Sequence, residues 1–381
     1  MTTTDDSALA ATSAEVRTFI ANRIGFIELN RPKALNALSL GMIRTMHARL
    51  DEWRTDPGVL AVVVYSPHER AFCAGGDVRS FYEMSQRNDV ASRERFFIEE
   101  YSLDHAIFIY PKPYIALMSG IVMGGGMGIS QGAHRTGGLR VVTSTTRMAM
   151  PETRIGFFPD VGAGWFLART PGAIGRYLAV TGVTIDAADA LYAGLADICM
   201  NASAIPTLLE ALGHESFATG TDVIACVKRI AHEAICANGD EHADTSLAAT
   251  RAWIDRHFGQ PNAAAIAASL AAEREEGACD WAEDTLGMMH ERSPLSMAVS
   301  LEVVARGDST MAECLRRDLD LTHTMFAFGD VLEGVRARII DKDNHPVWRI
   351  SRIGDVTAQD VERMFMSPWR PDEHPLRALH G

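Results

Sequence analysis

No run of this sequence approaches the roughly 20 consecutive apolar residues of a membrane-crossing helix, which argues against a membrane protein. Its opening segment, Met1 to Glu15, is polar, carries Asp5 and Asp6, and has neither a basic start nor an apolar stretch. No secretion or import signal is expected from it, and the chain is expected in the cytoplasm. Cysteine is sparse: Cys73, Cys199, Cys226, Cys236, Cys279 and Cys314, with no C-x-x-C pair among them. That scatter argues against a disulfide framework or a thiolate zinc site. The six are expected to be reduced and buried, as in a reducing compartment. The 13 histidines show no H-E-x-x-H or similar spacing, so no metal is expected. Basic residues are in deficit, 36 against 49 acidic ones, a formal net charge of -13. Such a chain repels phosphate polymers, so nucleic acid is not an expected partner. Also missing is the G-x-x-x-x-G-K-[ST] phosphate loop, and Gly126 to Gln131 lacks the third glycine of a dinucleotide fingerprint.

What is present falls into two regimes. From about Val16 to Cys199 short β-type runs alternate with helical segments. Phe26 to Leu29 reads as a strand, and Ser39 caps a helix whose apolar positions Leu40, Ile43, Met46, Leu50 and Trp53 recur at helical spacing. Asp56-Pro57-Gly58 ends it. Val59 to Tyr65 and Pro113 to Met118 are almost wholly apolar, as expected of strands buried on both faces, and Arg140 to Thr143 is another short strand. Strands alternating with helices predict a layered α/β domain over residues 16–200. Residues 201–366 are helical in character, with an Ala-rich helix over Asn262 to Glu275 and a capping box at Thr310 to Glu313. Residues 367–381, rich in proline, are expected to form an irregular tail.

Two glycine loops follow buried strands: Ala71-Phe72-Cys73-Ala74-Gly75-Gly76-Asp77, and Met123-Gly124-Gly125-Gly126-Met127-Gly128. Glycine lets a backbone turn tightly and leaves its N–H groups free to face a ligand. A helix beginning in the second loop adds a positive dipole end at the same spot. One donor from each loop would make an oxyanion hole; taken singly, either loop equally serves close packing. Downstream, Glu152 and Asp160 each adjoin a proline and sit among apolar residues and glycine rather than among Lys or Arg. Desolvation would raise their pKa and suit them to acid, base or nucleophile work, while capping and turn roles remain open for both. Cys73 lies inside the first loop, but no histidine partner is identifiable, and it reads as a structural cysteine.

In order, the motifs are N-R-P-x-A-L-N-A-L (Asn30 to Leu38), F-C-A-G-G-D (Phe72 to Asp77), the block Gly120 to Gly128, M-P-E (Met150 to Glu152) and F-P-D-V-G (Phe158 to Gly162). This succession resembles the crotonase, or enoyl-CoA hydratase/isomerase, superfamily over nearly the whole chain. The resemblance implies a spiral of ββα units with a helical C-terminal region. It also implies an oxyanion hole for an acyl-CoA thioester, made by the backbone N–H groups of Gly76 and Gly125. Within the superfamily the chain is most similar to the hydrolases of 3-hydroxyisobutyryl-CoA in valine breakdown. Glu99-Glu100-Tyr101, the Glu152/Asp160 pair and the stretch from Leu332 to Trp348 carry that likeness. It implies Glu152 and Asp160 as catalytic groups, and Glu100, Gly125, Glu152 and Asp160 as substrate-binding groups. Coenzyme A would enter as part of the substrate, with no further cofactor, and a homo-oligomer is in keeping with the resemblance. Gly128 stands where a hydratase has its first glutamate, so hydrolysis or isomerisation is expected over hydration. The stretch Gln131 to Arg140 is longer than the hydrolase pattern and reads as an extended surface turn. Lys33 and Lys342 lie near motifs but are expected to be solvated rather than to hold coenzyme A phosphate.

Overall fold

The computed structural model describes residues 14–234 and 245–380; Cys236 and the chain before residue 14 lie outside them. Nine strands occur among these residues: β1 (Val16–Ala21), β2 (Ile24–Leu29), β3 (Ala61–Tyr65), β4 (Ala71–Cys73), β5 (Tyr114–Met118), β6 (Ile121–Met123), β7 (Leu139–Thr143), β8 (Arg147–Ala149) and β9 (Ile198–Met200). They form two sheets, a large one of order β1-β2-β3-β5-β7-β9 and a small one of order β4-β6-β8. β1 and β2 make an antiparallel hairpin, turned by Asn22 and Arg23, both at positive φ, as a two-residue hairpin loop demands. All other pairings are parallel.

The chain visits the large sheet, then the small one, then a helix, and repeats. β3 and β4 lead into the helices Val78–Gln86 and Val90–Phe108; β5 and β6 lead into Gly125–Gln131. This is the expected succession of ββα units.

Side-chain alternation along the large sheet explains why its strands are apolar throughout. In β3, Val62 and Val64 face the main core while Ala61, Val63 and Tyr65 face a second one. β5 divides likewise, Tyr114, Ala116 and Met118 against Ile115 and Leu117. The second core is closed by helices Ile205–His214 and Gly220–Glu233 through Leu208, Leu212, Val223, Val227 and Ile230. Both faces are thus out of water, and a polar residue at either period would be buried.

Ser39 caps helix Leu40–Thr55 by accepting from the Met42 N–H at 3.2 Å. Ile43, Met46, Leu50 and Trp53 are buried beneath it, while Leu40 is only half-buried. Thr310 and Glu313 form a reciprocal capping box on helix Met311–Phe328. The Ala-rich helix is shorter than its composition predicts, running Ala263–Ala271. Its end is set by Glu273, whose carboxylate accepts the N–H groups of Arg274 and Glu275 and turns the chain. The last segment is irregular as expected, yet it is anchored: Leu376 and His374 are buried, and the Leu379 carbonyl accepts from Arg316 at 2.8 Å.

The cysteines depart from expectation at two described positions. Cys279 is half-buried, and Cys199 is disulfide-bonded. A uniformly reduced, buried set is therefore corrected; Cys73, Cys226 and Cys314 do fit it.

β2 packs against helix Leu40–Thr55 with no spare volume. A Cβ on Gly25 would lie 2.5 Å from the Trp53 ring. Gly25→Ala is expected to destabilise the fold by about 1–3 kcal/mol through overpacking, read as a lower midpoint in urea denaturation with an unaltered slope.

Candidate active site

The N-R-P segment builds the first glycine loop. Asn36 donates to Ser66 Oγ and to the carbonyls of Ala71 and Phe72, at 2.9, 3.1 and 3.0 Å. Backbone bonds then run from Ala74 N to Leu35 O, Leu38 N to Gly75 O and Asp77 N to Leu38 O. This ladder uses the Ala74 and Asp77 amides and the Gly75 carbonyl, and leaves the Gly76 N–H out of it. The second loop continues from β6 into helix Gly125–Gln131, whose N-cap Gly124 has φ +49, a conformation costly for side-chain-bearing residues. The Gly125 N–H is the first of that helix and has no carbonyl one turn back. Among the described residues neither the Gly76 nor the Gly125 N–H has an acceptor.

The loops meet through backbone. A Cβ on Gly126 would lie 2.4 Å from the Cys73 carbonyl oxygen, and one on Gly125 would lie 3.4 Å from Gly76 N. Side chains at these positions would push the two donors apart. Gly76 N and Gly125 N are thereby held side by side on the wall of a cavity of about 440 Å³.

Glu100, Glu152 and Asp160 line the same cavity, and all three are buried. Glu152 opens a short turn, Glu152–Ile155, closed by Gly156 at φ +73. A Cβ on Gly124 would come 2.8 Å from Glu152 Oε1, so the bare loop lets this carboxyl approach; its Oε2 has no hydrogen-bond partner. Glu100 projects from helix Val90–Phe108 toward Gly125, and its Oε1 is likewise unpartnered. Asp160 accepts from Tyr101 Oη at 2.7 Å, and that hydroxyl also pairs with Thr322 at 2.9 Å. The residue after Asp160 is strained: Val161, β-branched, stands at φ +53. Gly162 then donates its N–H to Asp318 at 2.8 Å, which fixes the turn from the opposite helix.

Two further buried acids, Asp104 and Asp318, stand behind these three, and among the described residues neither has an ion-pair partner. Burial raises all five carboxyls above the ordinary range. For Glu100 and Glu152 the negative charge of Asp160 adds to it, and for Asp104 that of Glu100. Asp160 is pushed up to about 7 by burial, with the Tyr101 hydrogen bond working against the rise. Cys73 is buried and its thiol is pushed up to about 12, which removes it as a nucleophile at neutral pH.

Position 128 is closed to a side chain. A Cβ there would lie 2.8 Å from Val161 Cβ and 2.9 Å from both Asp104 carboxyl oxygens. The longer stretch after it forms a short turn, Gly132–Thr136, exposed at Arg135 and Gly137, and no residue of 131–140 lines the cavity. Lys33 and Lys342 are exposed and also stand outside it. The cations that do line it are Arg154, Arg292 and Arg338, which the sequence did not single out because they are scattered over nearly 190 positions. The apolar wall was equally hidden: Phe97 and Phe157 come from the first half, Phe326, Val331, Leu332, Val335 and Ile339 from the helical region.

Comparison with known proteins points to one family. A family profile described as enoyl-CoA hydratase/isomerase matches residues 24–365. Among curated relatives, the mitochondrial 3-hydroxyisobutyryl-CoA hydrolase of Xenopus tropicalis is 37% identical over 90% of this chain and 86% of its own. That of Homo sapiens is 34% identical over the same shares. Their mitochondrial placement lends no support to a cytoplasmic expectation for this chain. Among solved structures, a carnitinyl-CoA dehydratase from Mycobacterium thermoresistibile is 35% identical with a TM-score of 0.83, covering 94% of this chain and 98% of that one. An enoyl-CoA hydratase from Rhodobacter sphaeroides 2.4.1 is 33% identical with a TM-score of 0.82, at 93% and 98% coverage.

Two outcomes follow from this packing. Gly128→Glu is expected to cost about 3 kcal/mol or more, because it overpacks the interior and adds a buried acid beside Asp104; urea denaturation reads the loss. The second concerns pH. Asp160 ionises near 7 when folded and near 4 when unfolded, so the unfolded chain loses its proton first. The native state therefore loses stability as pH rises from about 4 to about 7. Asp160→Asn should gain melting temperature relative to the parent at pH 8 and little at pH 4; a difference independent of pH would contradict the assignment.

Proposed function

The chain belongs to the enoyl-CoA hydratase/isomerase family, and within it we propose that it hydrolyses a short, branched 3-hydroxyacyl-CoA thioester of the 3-hydroxyisobutyryl-CoA kind, as in valine breakdown. The observation that carries this reading is one cavity in which two acceptor-free amides face a buried, unpartnered Glu152 while position 128 is sealed. The amides of Gly76 and Gly125 would hold the thioester oxygen and take up its charge as the carbonyl carbon becomes tetrahedral. One such donor is typically worth roughly 2.7–4 kcal/mol of barrier.

Glu152 supplies the other half. Either its carboxylate attacks the carbonyl carbon, expelling the thiolate and leaving a mixed anhydride that water opens, or it takes a proton from water that attacks directly. In both routes the C–S bond breaks, a C–O bond forms, and the proton lost by water ends on the coenzyme A thiol. Asp160, held by Tyr101, would bind the substrate hydroxyl or orient the water, and Glu100 would bound the acyl pocket. Hydration in the manner of a two-glutamate hydratase would need a carboxylate at 128.

The names borne by the two similar solved structures favour a second reading, addition or removal of water with Glu152 as the proton carrier. Free-thiol release separates the two, since only hydrolysis liberates coenzyme A. The protein is expected to release thiol from 3-hydroxyisobutyryl-CoA. Glu152→Gln, a near-isosteric change, should reduce that rate by roughly 10²–10⁴-fold with an unchanged melting profile at acid pH. Full release by this variant would remove the proposal, as would hydration of an enoyl-CoA without thiol release by the parent. Because burial raises the Glu152 pKa, its active, ionised form is lost as pH falls. The rate should therefore decline on the acid side at a pH well above the ordinary carboxylate range.

A further inference from the structure

The cavity that holds the three acids is also lined by Arg154, Arg292 and Arg338, together with Thr184 and Asn344. In a chain of net charge -13, three guanidinium groups lining one cavity are a concentration of positive charge that the bulk composition does not predict. Their neutralisation is incomplete. Glu291, largely exposed, serves two of them, at 3.3 Å from Arg292 Nη1 and 3.8 Å from Arg338 Nη2. The other nearby acid, Asp343, is engaged by Arg336 at 2.6 Å. The Arg154 side chain is exposed and makes no ion pair or hydrogen bond among the described residues.

Two of the three are built in rather than draped over the surface. The Arg292 side chain is 8% exposed, and its Nε donates to the Thr181 carbonyl at 2.9 Å. That of Arg338 is 9% exposed, with Nη1 on Asn344 Oδ1 at 3.2 Å and Nη2 on the Glu291 carbonyl at 3.3 Å. Its Nε is buried without any partner, an expensive state for a charged donor. Arg338 lines the cavity from a five-residue π-helical turn, Arg336–Ile340, a departure from α geometry that tends to mark functional positions. Arg154 acts on both buried neighbours: Arg292 is pushed down to about 10, by burial first and by Arg154 next, and Arg338 is lowered by the same two causes in the same order.

Burying mutually repelling cations costs stability unless an anion joins them. Guanidinium forks match phosphate oxygens in pairs. Resting on the thioester reading above, we propose that Arg154, Arg292 and Arg338 form an anion subsite that takes a phosphate of the coenzyme A half of the substrate. The acids then receive the acyl end and the arginines the nucleotide end of one ligand, with the apolar wall of Val335 and Ile339 between them. A coenzyme A thioester offers two phosphate sources, the pyrophosphate bridge and the ribose 3′-phosphate.

The test uses the whole protein with 3-hydroxyisobutyryl-CoA, its 3′-dephospho form and the corresponding pantetheine thioester, which has neither phosphate source. Arg154→Gln and Arg338→Gln should each raise KM for the coenzyme A ester about tenfold, and move KM for the pantetheine ester less than twofold. A loss that persists on the dephospho ester assigns the pyrophosphate; one that vanishes there assigns the 3′-phosphate. An equal loss on all three esters, or no loss, overturns the subsite. Should Arg338→Gln fail to fold, Arg154→Glu, at an exposed position, carries the same comparison with a larger expected rise. If the parent cleaves none of the three esters, the hydrolase reading fails by itself. Calorimetric binding of free coenzyme A against pantetheine then still decides the subsite, through the presence or absence of the same arginine dependence.

Discussion

Glu100, Asp104, Glu152, Asp160 and Asp318 are buried near one another, and among the described residues no basic side chain pairs with any of them. Carboxylates taken from water without a counter-ion are costly, and several together repel. The surrounding structure meets this in three ways. The carboxyls hold protons beyond the ordinary range, Asp160 borrows the Tyr101 hydroxyl, and Asp318 takes the Gly162 amide. What remains unmet on the cavity wall, at Glu100 and Glu152, is polarity available to a ligand. The interior is thus arranged around a deficit of hydrogen-bond donors on one side of the cavity.

The same cavity carries the complementary surplus. Gly76 and Gly125 present amide donors without acceptors, and Arg154, Arg292 and Arg338 present guanidinium groups without enough carboxylate. Such an arrangement is poor for folding and good for binding a ligand that carries a polarised carbonyl, a hydroxyl and phosphate groups. The strained Val161 and the π-turn at Arg336–Ile340 lie beside these two regions, where the packed framework can hold an unfavourable backbone.

Much of this was legible in the residue order. Almost unbroken apolar runs marked β3 and β5, because strands buried on both faces leave little room for polar residues, and short β-type runs marked β2 and β7. The loops and Glu152, Asp160 and Glu100 were found through motif succession, and the structure places them on one cavity. Asp104 and Asp318 escaped notice because an acid on a helix resembles a solvated one until its neighbours are known. The three arginines escaped because no local spacing joins positions 154, 292 and 338. The Ala-rich helix was overestimated for a related reason: propensity favours continuation, while the carboxylate of Glu273 ends it through hydrogen bonds that composition does not encode.

The contact between the two glycine loops has a consequence of a different kind. Gly126 rests on the Cys73 carbonyl, and Gly125 lies beside Gly76 N, so the gap between the paired amides is a backbone dimension. Side chains on the cavity wall, supplied by distant helices, do not enter into it. Lineages can therefore drift widely in what the wall admits while inheriting an unaltered ruler for the carbonyl.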